Sequence, residues 1–246
     1  MCTLSIIPLG AGYRAVVNRD ESRTRAEALA PRWRALAGPG ARKAIWPTDP
    51  AGGGTWVGAN DAGLMLALLN YNPVPADRAR PGSQSRGAVI PMLIGAETPA
   101  QVVQGLKRIA LSDFAPFRLV AVVRGAGQVL VAQESAWNGG ELLVRSPIQA
   151  PACFASSGLG DAVVRPRLDL FAQLLNDEGP TPMMQDRFHR HEWPGRPEIS
   201  VMMSREAART VSITDVLVSG GGVSMRYSPV PARAQRDDPH RAGARA

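Results

Sequence analysis

Cys2 follows Met1, and the polar tetrapeptide Asn18-Arg19-Asp20-Glu21 closes the largely apolar stretch that comes after it. A thiol, a guanidinium and a carboxylate are the parts of a nucleophilic site, provided that the chain brings them together. Removal of Met1 would give Cys2 a free α-amino group, whose ordinary pKa of ~7.7 to 8.0 suits a base near neutral pH. One residue would then carry both nucleophile and base. A thiol titrates at about 8.5 when unperturbed, and a cation such as Arg19 would lower that by stabilising the thiolate. Asp20 has two conceivable tasks, orienting Arg19 or binding the new ammonium. The competing reading makes Cys2 a buried small apolar residue and Asn18 to Glu21 a polar turn after a strand.

A hairpin would join these groups. Thr3 to Ile7 is apolar and largely β-branched, Pro8-Leu9-Gly10-Ala11-Gly12 supplies a turn, and Tyr13 to Val17 reads as the returning strand. Antiparallel pairing of two strands of about five residues would return Asn18, Arg19 and Asp20 to within a few ångströms of Cys2. Side chains alternate along a strand, so Arg19 and Asp20 would point to opposite faces and only one of them would face the thiol.

A second informative stretch runs from Gly52-Gly53-Gly54-Thr55-Trp56-Val57-Gly58 through Asn60-Asp61-Ala62-Gly63 to the apolar run Leu64 to Leu69. Two strands joined by a tight turn fit it. Three glycines could cradle a phosphate, but no G-K-[ST] follows and no helix begins there, so close approach of two backbones is the better reading. Asn70-Tyr71-Asn72-Pro73 ends the second strand, and Pro73 stops it. Taken alone, Asn70 and Asn72 are turn formers.

Met1-Cys2 together with Asn18-Arg19-Asp20-Glu21 resembles the NRDE family, named for that tetrapeptide, which includes the transport and Golgi organisation proteins of eukaryotes. Gly53 to Gly58 resembles the family's glycine-glycine-threonine-tryptophan segment, and Leu69-Asn70-Tyr71 its asparagine-tyrosine strand end. Ser85-Arg86-Gly87 resembles a serine/arginine-glycine step, and Ala208-Arg209-Thr210 an arginine-threonine step in the C-terminal sheet. Asn60 to Pro73 also resembles a segment of bile-salt hydrolases and penicillin V acylases, whose strand-end asparagine helps to hold the oxyanion.

The resemblance implies an α+β fold, the four-layer αββα sandwich of N-terminal nucleophile hydrolases. It implies Cys2 as nucleophile, Arg19 and Asp20 as the groups that position it, and Asn70 as donor to the developing oxyanion. Asn18, Trp56, Tyr71 and Arg209 become the candidate substrate contacts, with Arg209 suited to a carboxylate or phosphate. A surface arginine that begins a strand is the equally simple reading of Arg209. Two departures stand out. The family carries glycine-leucine-serine-asparagine where this chain has Ala155-Ser156-Ser157-Gly158-Leu159-Gly160, which leaves Ser156 or Ser157 for any second polarising role. Bile-salt hydrolases also place two residues between their arginine and aspartate, which are adjacent here.

The expected activity is that of an amidase, thioesterase or acyltransferase acting on an acyl amide or acyl thioester, with no cofactor. The alternative is a non-enzymatic carrier or homeostasis protein for haem or for acyl-coenzyme A and lipid, as the family resemblance implies. Nothing in the residues selects haem: no cysteine-x-x-cysteine-histidine motif is present. His189 and His191 stand two apart, a spacing that could serve a metal on a strand. Neither a carboxylate-histidine helix motif nor a cysteine pair accompanies them, and a surface role is expected.

With 246 residues and 45% hydrophobic content, the chain can bury one substantial core. One domain over 1–230 and a disordered basic tail over 231–246 are expected. The formal charge of +7 would ordinarily raise nucleic-acid binding. Here Lys43 and Lys107 are the only lysines among 28 basic residues, and the arginines are scattered among Ala, Gly and Pro. Coding bias explains that pattern better than a binding face, so a small-molecule partner is expected and no specific nucleic acid. Two cysteines, Cys2 and Cys153, are too few for a disulfide framework. No leader pattern and no membrane-length apolar run is visible, so a cytoplasmic location is expected.

The remaining elements follow from periodicity. Ser22 to Pro47 reads as a long loop with one possible helical turn. Ala88 to Ala96 and the segment opened by Thr98-Pro99 read as helices, as do the stretch from Asp161 to Leu175 and the short piece from Pro180 to Phe188. Phe117 to Val123, Gln128 to Ala132, Glu141 to Val144, Ser200 to Ser204, Arg209 to Leu217 and Val223 to Tyr227 read as strands. Strands, two helices, strands, two helices and strands pack most simply as two stacked sheets between two helical layers.

Overall fold

A computed structural model of the chain describes residues 2–37, 42–73, 82–124 and 130–232. The expected disordered tail, beyond its first two residues, lies outside the described residues, as do Gly125 to Gly127 of the predicted turn and Gln128 and Val129 of the predicted strand.

The chain opens on the predicted hairpin. Strand β1 (Cys2–Leu9) pairs antiparallel with β2 (Gly12–Ser22). Next come β3 (Leu29–Ala35), β4 (Lys43–Thr48), β5 (Val57–Asn60) and β6 (Met65–Asn70), then the helices α1 (Val89–Leu93) and α2 (Pro99–Leu106). Thr98 caps α2 by accepting from the Gln101 N–H, with Pro99 in the first turn. Strands β7 (Phe117–Arg124), β8 (Leu130–Trp137), β9 (Leu142–Ile148) and β10 (Ala152–Ala155) precede α3 (Arg165–Glu178) and α4 (Pro182–His189), and β11 (Ala208–Ser219) and β12 (Gly222–Pro229) close the chain.

The strands form two antiparallel sheets, one of five in the order β10-β1-β2-β11-β12 and one of seven in the order β3 to β9. Alternation decides which face of each strand is apolar. Leu4, Ile6, Tyr13 and Val17 of the first sheet pack against Val57, Met65, Ala67, Val120 and Val122 of the second. The opposite face of the seven-stranded sheet, through Leu66, Phe117 and Leu119, takes Val89, Ile90, Val102 and Leu106 of α1 and α2. Ile7, on the outer face of the five-stranded sheet, takes Phe171, Leu174, Met184 and Phe188 of α3 and α4. Three apolar clusters thus fill the three interfaces of a four-layer αββα sandwich.

Several expectations need correction. Ser22 to Pro47 is not a long loop, because it contains β3 and β4. Its periodicity is weak because β3 is an edge strand with no fully buried residue. Ser200 to Ser204 forms no strand and makes only an isolated bridge, Ser204 with Arg209. The short strand β10 was not anticipated. Helix α3 begins at Arg165, after a 3-10 turn over Asp161–Val164.

Candidate functional site

The hairpin register puts Cys2 directly opposite Arg19, and Thr3 opposite Asn18. Directly paired residues share a face, so Cys2 and Arg19 both look inward between the sheets. Ser156 then holds Cys2 from its other side. The Cys2 N–H donates to Ser156 Oγ at 3.1 Å, and the Ser156 N–H donates to the Cys2 carbonyl at 3.0 Å. Cys2 is only 5% exposed and touches the rim of the inter-sheet core, yet it also lines a cleft of about 320 Å³. Burial pushes its thiol pKa up. The amino-terminal ammonium and, less strongly, Arg19 pull the other way, while Asp20 and Glu21 add to the rise, so the expected stabilisation of the thiolate by Arg19 is outweighed.

Arg19 is fixed by Trp56, a site residue that the sequence suggests, and by Asp49, which sequence reasoning missed. Its Nη2 meets Asp49 Oδ2 at 2.9 Å, and its guanidinium lies over the Trp56 ring at 4.3 Å. Arg25 also reaches Asp49 Oδ2, through Nη2 at 2.5 Å and Nε at 3.1 Å. Burial alone would raise the Asp49 pKa, but the Arg25 hydrogen bond, Arg19 and the Ala51 N–H together hold it below the usual carboxylate value. Glu21 stands 3.7 Å from Arg19 Nη2. It sits two residues along β2 from Arg19 and therefore on the same face, a signal that alternation already contained.

The opposite wall is made where two backbones touch. The Thr55 N–H donates to Gly87 O at 3.0 Å, and a Cβ on Gly54 would lie 2.3 Å from the Gly87 carbonyl carbon. The glycine run therefore serves close approach, as expected, and places Thr55, Trp56, Ser85 and Arg86 around the thiol. Asn70, at the end of β6, lines the same cleft, and its side-chain amide makes no hydrogen bond among the described residues. Cys2, Arg19, Trp56 and Asn70 are thus brought together.

The other expected site residues go elsewhere. Asp20 contributes to the cleft wall, but its carboxylate accepts from Thr210 Oγ1 at 2.6 Å and from Arg167 Nη1 at 3.2 Å on the helical side of the sheet. Asn18 is fully buried behind the sheet. Its Nδ2 donates to the carbonyls of His189 and Val201, and its Oδ1 meets His189 Nδ1 at 2.8 Å, which leaves nothing for a substrate. Tyr71 lines a neighbouring cavity of about 500 Å³ with Arg118 over its ring at 5.3 Å. Arg209 donates to the carbonyls of Thr210 and Val230 beside the strand end and does not line the Cys2 cleft.

His189 is not a surface residue. It is fully buried, bonded to Asn18 and Ser5, and burial lowers its pKa to about 3, so it is neutral. His191 instead packs edge-on against Trp193. Among the described residues, no group of three or more His, Cys, Asp or Glu could hold a metal ion, and no helix is long and apolar enough to cross a membrane.

Comparison with known proteins agrees with this geometry. The chain superposes on the Caenorhabditis elegans N-acylethanolamine-hydrolyzing acid amidase orthologue with a TM-score of 0.56 and 13% identity, covering 87% of this chain and 92% of that one. It superposes on a variant of conjugated bile acid hydrolase from Clostridium perfringens with a TM-score of 0.53 and 10% identity, covering 93% and 92%. At these identities the likeness shows the fold, that of the N-terminal nucleophile hydrolases. Among curated proteins none matches the sequence. The sequence model of the Transport and Golgi organisation 2 family matches residues 1–148, from Cys2 and its hairpin through β9, and the chain belongs to that family.

Proposed function

We propose that the protein is an amidase, thioesterase or acyltransferase in which Cys2, freed from Met1, is the N-terminal nucleophile. The observation that carries this reading is the register of the hairpin: Cys2 and Arg19 stand opposite each other and line one polar cleft with Asn70. The functional unit is proposed to be one domain over residues 1–230. A free thiol at its centre suits a reducing compartment such as the cytoplasm.

The chemistry follows from the burial of the thiol. A thiol with a raised pKa is protonated at neutral pH, so a base must take its proton as it attacks. The α-amine of Cys2 would do so, with Ser156 Oγ within hydrogen-bond reach of the same nitrogen. Cys2 Sγ attacks the acyl carbon, and the carbonyl π electrons move onto oxygen. The Asn70 amide N–H donates to that oxyanion. As the tetrahedral intermediate collapses, the C–N or C–S bond to the leaving group breaks and the ammonium returns its proton to the departing nitrogen or sulfur. Water, or an acceptor nucleophile, then attacks the Cys2 thioester and regenerates the thiol. Arg19, braced by Asp49, supplies positive charge beside the sulfur. Asp20 lies on the far side of the sheet, within electrostatic reach of Cys2, and would favour the ammonium form.

Intact-mass analysis followed by incubation with a panel of acyl amides and acyl thioesters tests the proposal. Loss of Met1 and a covalent acyl adduct on Cys2, absent from Cys2→Ala, are the expected results. A retained Met1 with no adduct on any probe would overturn it and favour the carrier reading. Haem titration and acyl-coenzyme A binding of the same two proteins would then decide the cargo.

A further inference from the structure

Three guanidinium groups line the Cys2 cleft, those of Arg19, Arg25 and Arg86. Arg19 and Arg25 converge on Asp49. Arg86 has no such partner. Its Nη1 donates to the Pro116 carbonyl at 3.0 Å, and it forms no ion pair among the described residues. The side chain is half-buried, and burial lowers its pKa, with the Cys2 thiol and Glu21 as the nearby groups that act against this. A partly desolvated cation without a counter-ion is costly, and a ligand anion would offset that cost.

The charge balance of the cleft has the same sign. Asp49 and Glu21 oppose three arginines, while the Asp20 carboxylate is bonded to Arg167 across the sheet. Among the described residues one positive charge is left over. Donors also lack acceptors: among the described residues the buried Trp56 indole N–H has no partner and the Asn70 amide makes no hydrogen bond. Arg86 is held in place, because the next residue, Gly87, accepts the Thr55 N–H and abuts Gly54. Its planar fork matches a carboxylate or phosphate.

We propose that Arg86 is the residue by which this cleft selects an anionic substrate, so that the acyl compound attacked by Cys2 carries a carboxylate or phosphate group. The attack rests on Cys2 being the nucleophile. The anion site itself does not.

Two pairs of synthetic thioesters test the proposal in a buffer free of phosphate. S-phenyl glutarate monothioester against S-phenyl pentanethioate places the charge on the acyl side. The thioacetate of 4-mercaptobenzoate against that of thiophenol places it on the leaving side. The expected result is a kcat/KM preference of about tenfold or more for the charged member of one pair, the size of one charge-assisted hydrogen bond. That ratio should fall toward one in Arg86→Gln and recover in part in Arg86→Lys, with the change carried by KM. Binding of glutarate and of inorganic phosphate to Cys2→Ala, read by calorimetry, gives a second measurement that needs no turnover. It should vanish in Cys2→Ala/Arg86→Gln. Thermal melts of all variants show that each is folded.

Equal rates for both members of each pair, together with no Arg86-dependent binding of either anion, would overturn the proposal. An anion that binds through Arg86 while no probe ever acylates Cys2 would sink the nucleophile reading and leave the anion site standing.

Discussion

A buried thiol is a poor nucleophile until something takes its proton, and the groups around Cys2 push that proton in opposite directions. Arg19 favours the thiolate, whereas Glu21 and Asp20 oppose it. Glu21→Gln should therefore lower the pH at which Cys2 is alkylated by iodoacetamide, and Arg19→Gln should raise it; shifts of the same sign in both variants would contradict this assignment. Glu21 was legible in principle, since a side chain two residues from Arg19 on a strand shares its face. Asp49 was not, because its partnership with Arg19 and Arg25 is a tertiary contact with no local sequence signal. His189 was misread for the opposite reason: a histidine in a polar stretch looks exposed, yet it is the buried partner of Asn18 and Ser5. Its folded pKa of about 3 lies below the ordinary 6.5, with burial as the main cause and Arg14, Arg190 and Arg167 adding to it. The unfolded chain thus binds the proton first as pH falls. The stability due to neutral His189 is fully present above about 6.5 and is lost between there and 3, by roughly 1 kcal/mol per pH unit. Urea unfolding at a series of pH values should show this slope, and His189→Gln should flatten it.

At the scale of elements, the cleft exists because the segment before β5 runs against the turn before α1. Gly54 lies against the backbone of Gly87, where an added Cβ would meet the Gly87 carbonyl oxygen at 2.5 Å and its Cα at 2.7 Å. Backbone atoms cannot swing aside as a side-chain tip can. Gly54→Ala should therefore separate the two segments, destabilise the protein by about 1 to 3 kcal/mol and weaken the anion binding assigned to Arg86. Gly10→Ala provides a contrast, because its site has open space around it and only the left-handed φ of 55° resists substitution. It should cost about 1 kcal/mol without touching the cleft. Urea midpoints and glutarate calorimetry on both variants separate the two effects. The close approach was readable from three glycines with no phosphate-loop continuation. The strands β3 and β4 were not, because Arg32 and Arg34 flank a half-exposed Trp33 and leave β3 without an apolar face. β3 is a strand through its pairing with β4, which pairs in turn with β5, and such register between segments is invisible to periodicity.

At the scale of the whole molecule, the order of strands and helices was enough to give four layers, since each amphipathic element has one apolar face to cover. What holds the helical layer in one position relative to the hairpin was not legible, because it is a charge where the sequence promises hydrocarbon. Arg167 of α3 is fully buried. Its Nε donates to the Ile199 carbonyl at 2.9 Å, and its Nη1 donates to Thr3 Oγ1 at 2.6 Å and to Asp20 Oδ2 at 3.2 Å. One side chain thus ties α3, β1, β2 and the segment before β11 together, directly behind the nucleophile. Arg167→Ala should cost about 3 to 5 kcal/mol, because it leaves the Asp20 carboxylate in the interior without its guanidinium. The double variant Arg167→Met/Asp20→Asn removes both charges and keeps volume, so it should recover more than half of that loss. If the tie only stabilises, the double variant will also regain acylation of Cys2. Recovered urea stability with acylation still absent would instead mean that the reaction needs the Asp20 charge, acting on the Cys2 amine through the sheet as proposed above, and not only the tie that this charge makes with Arg167.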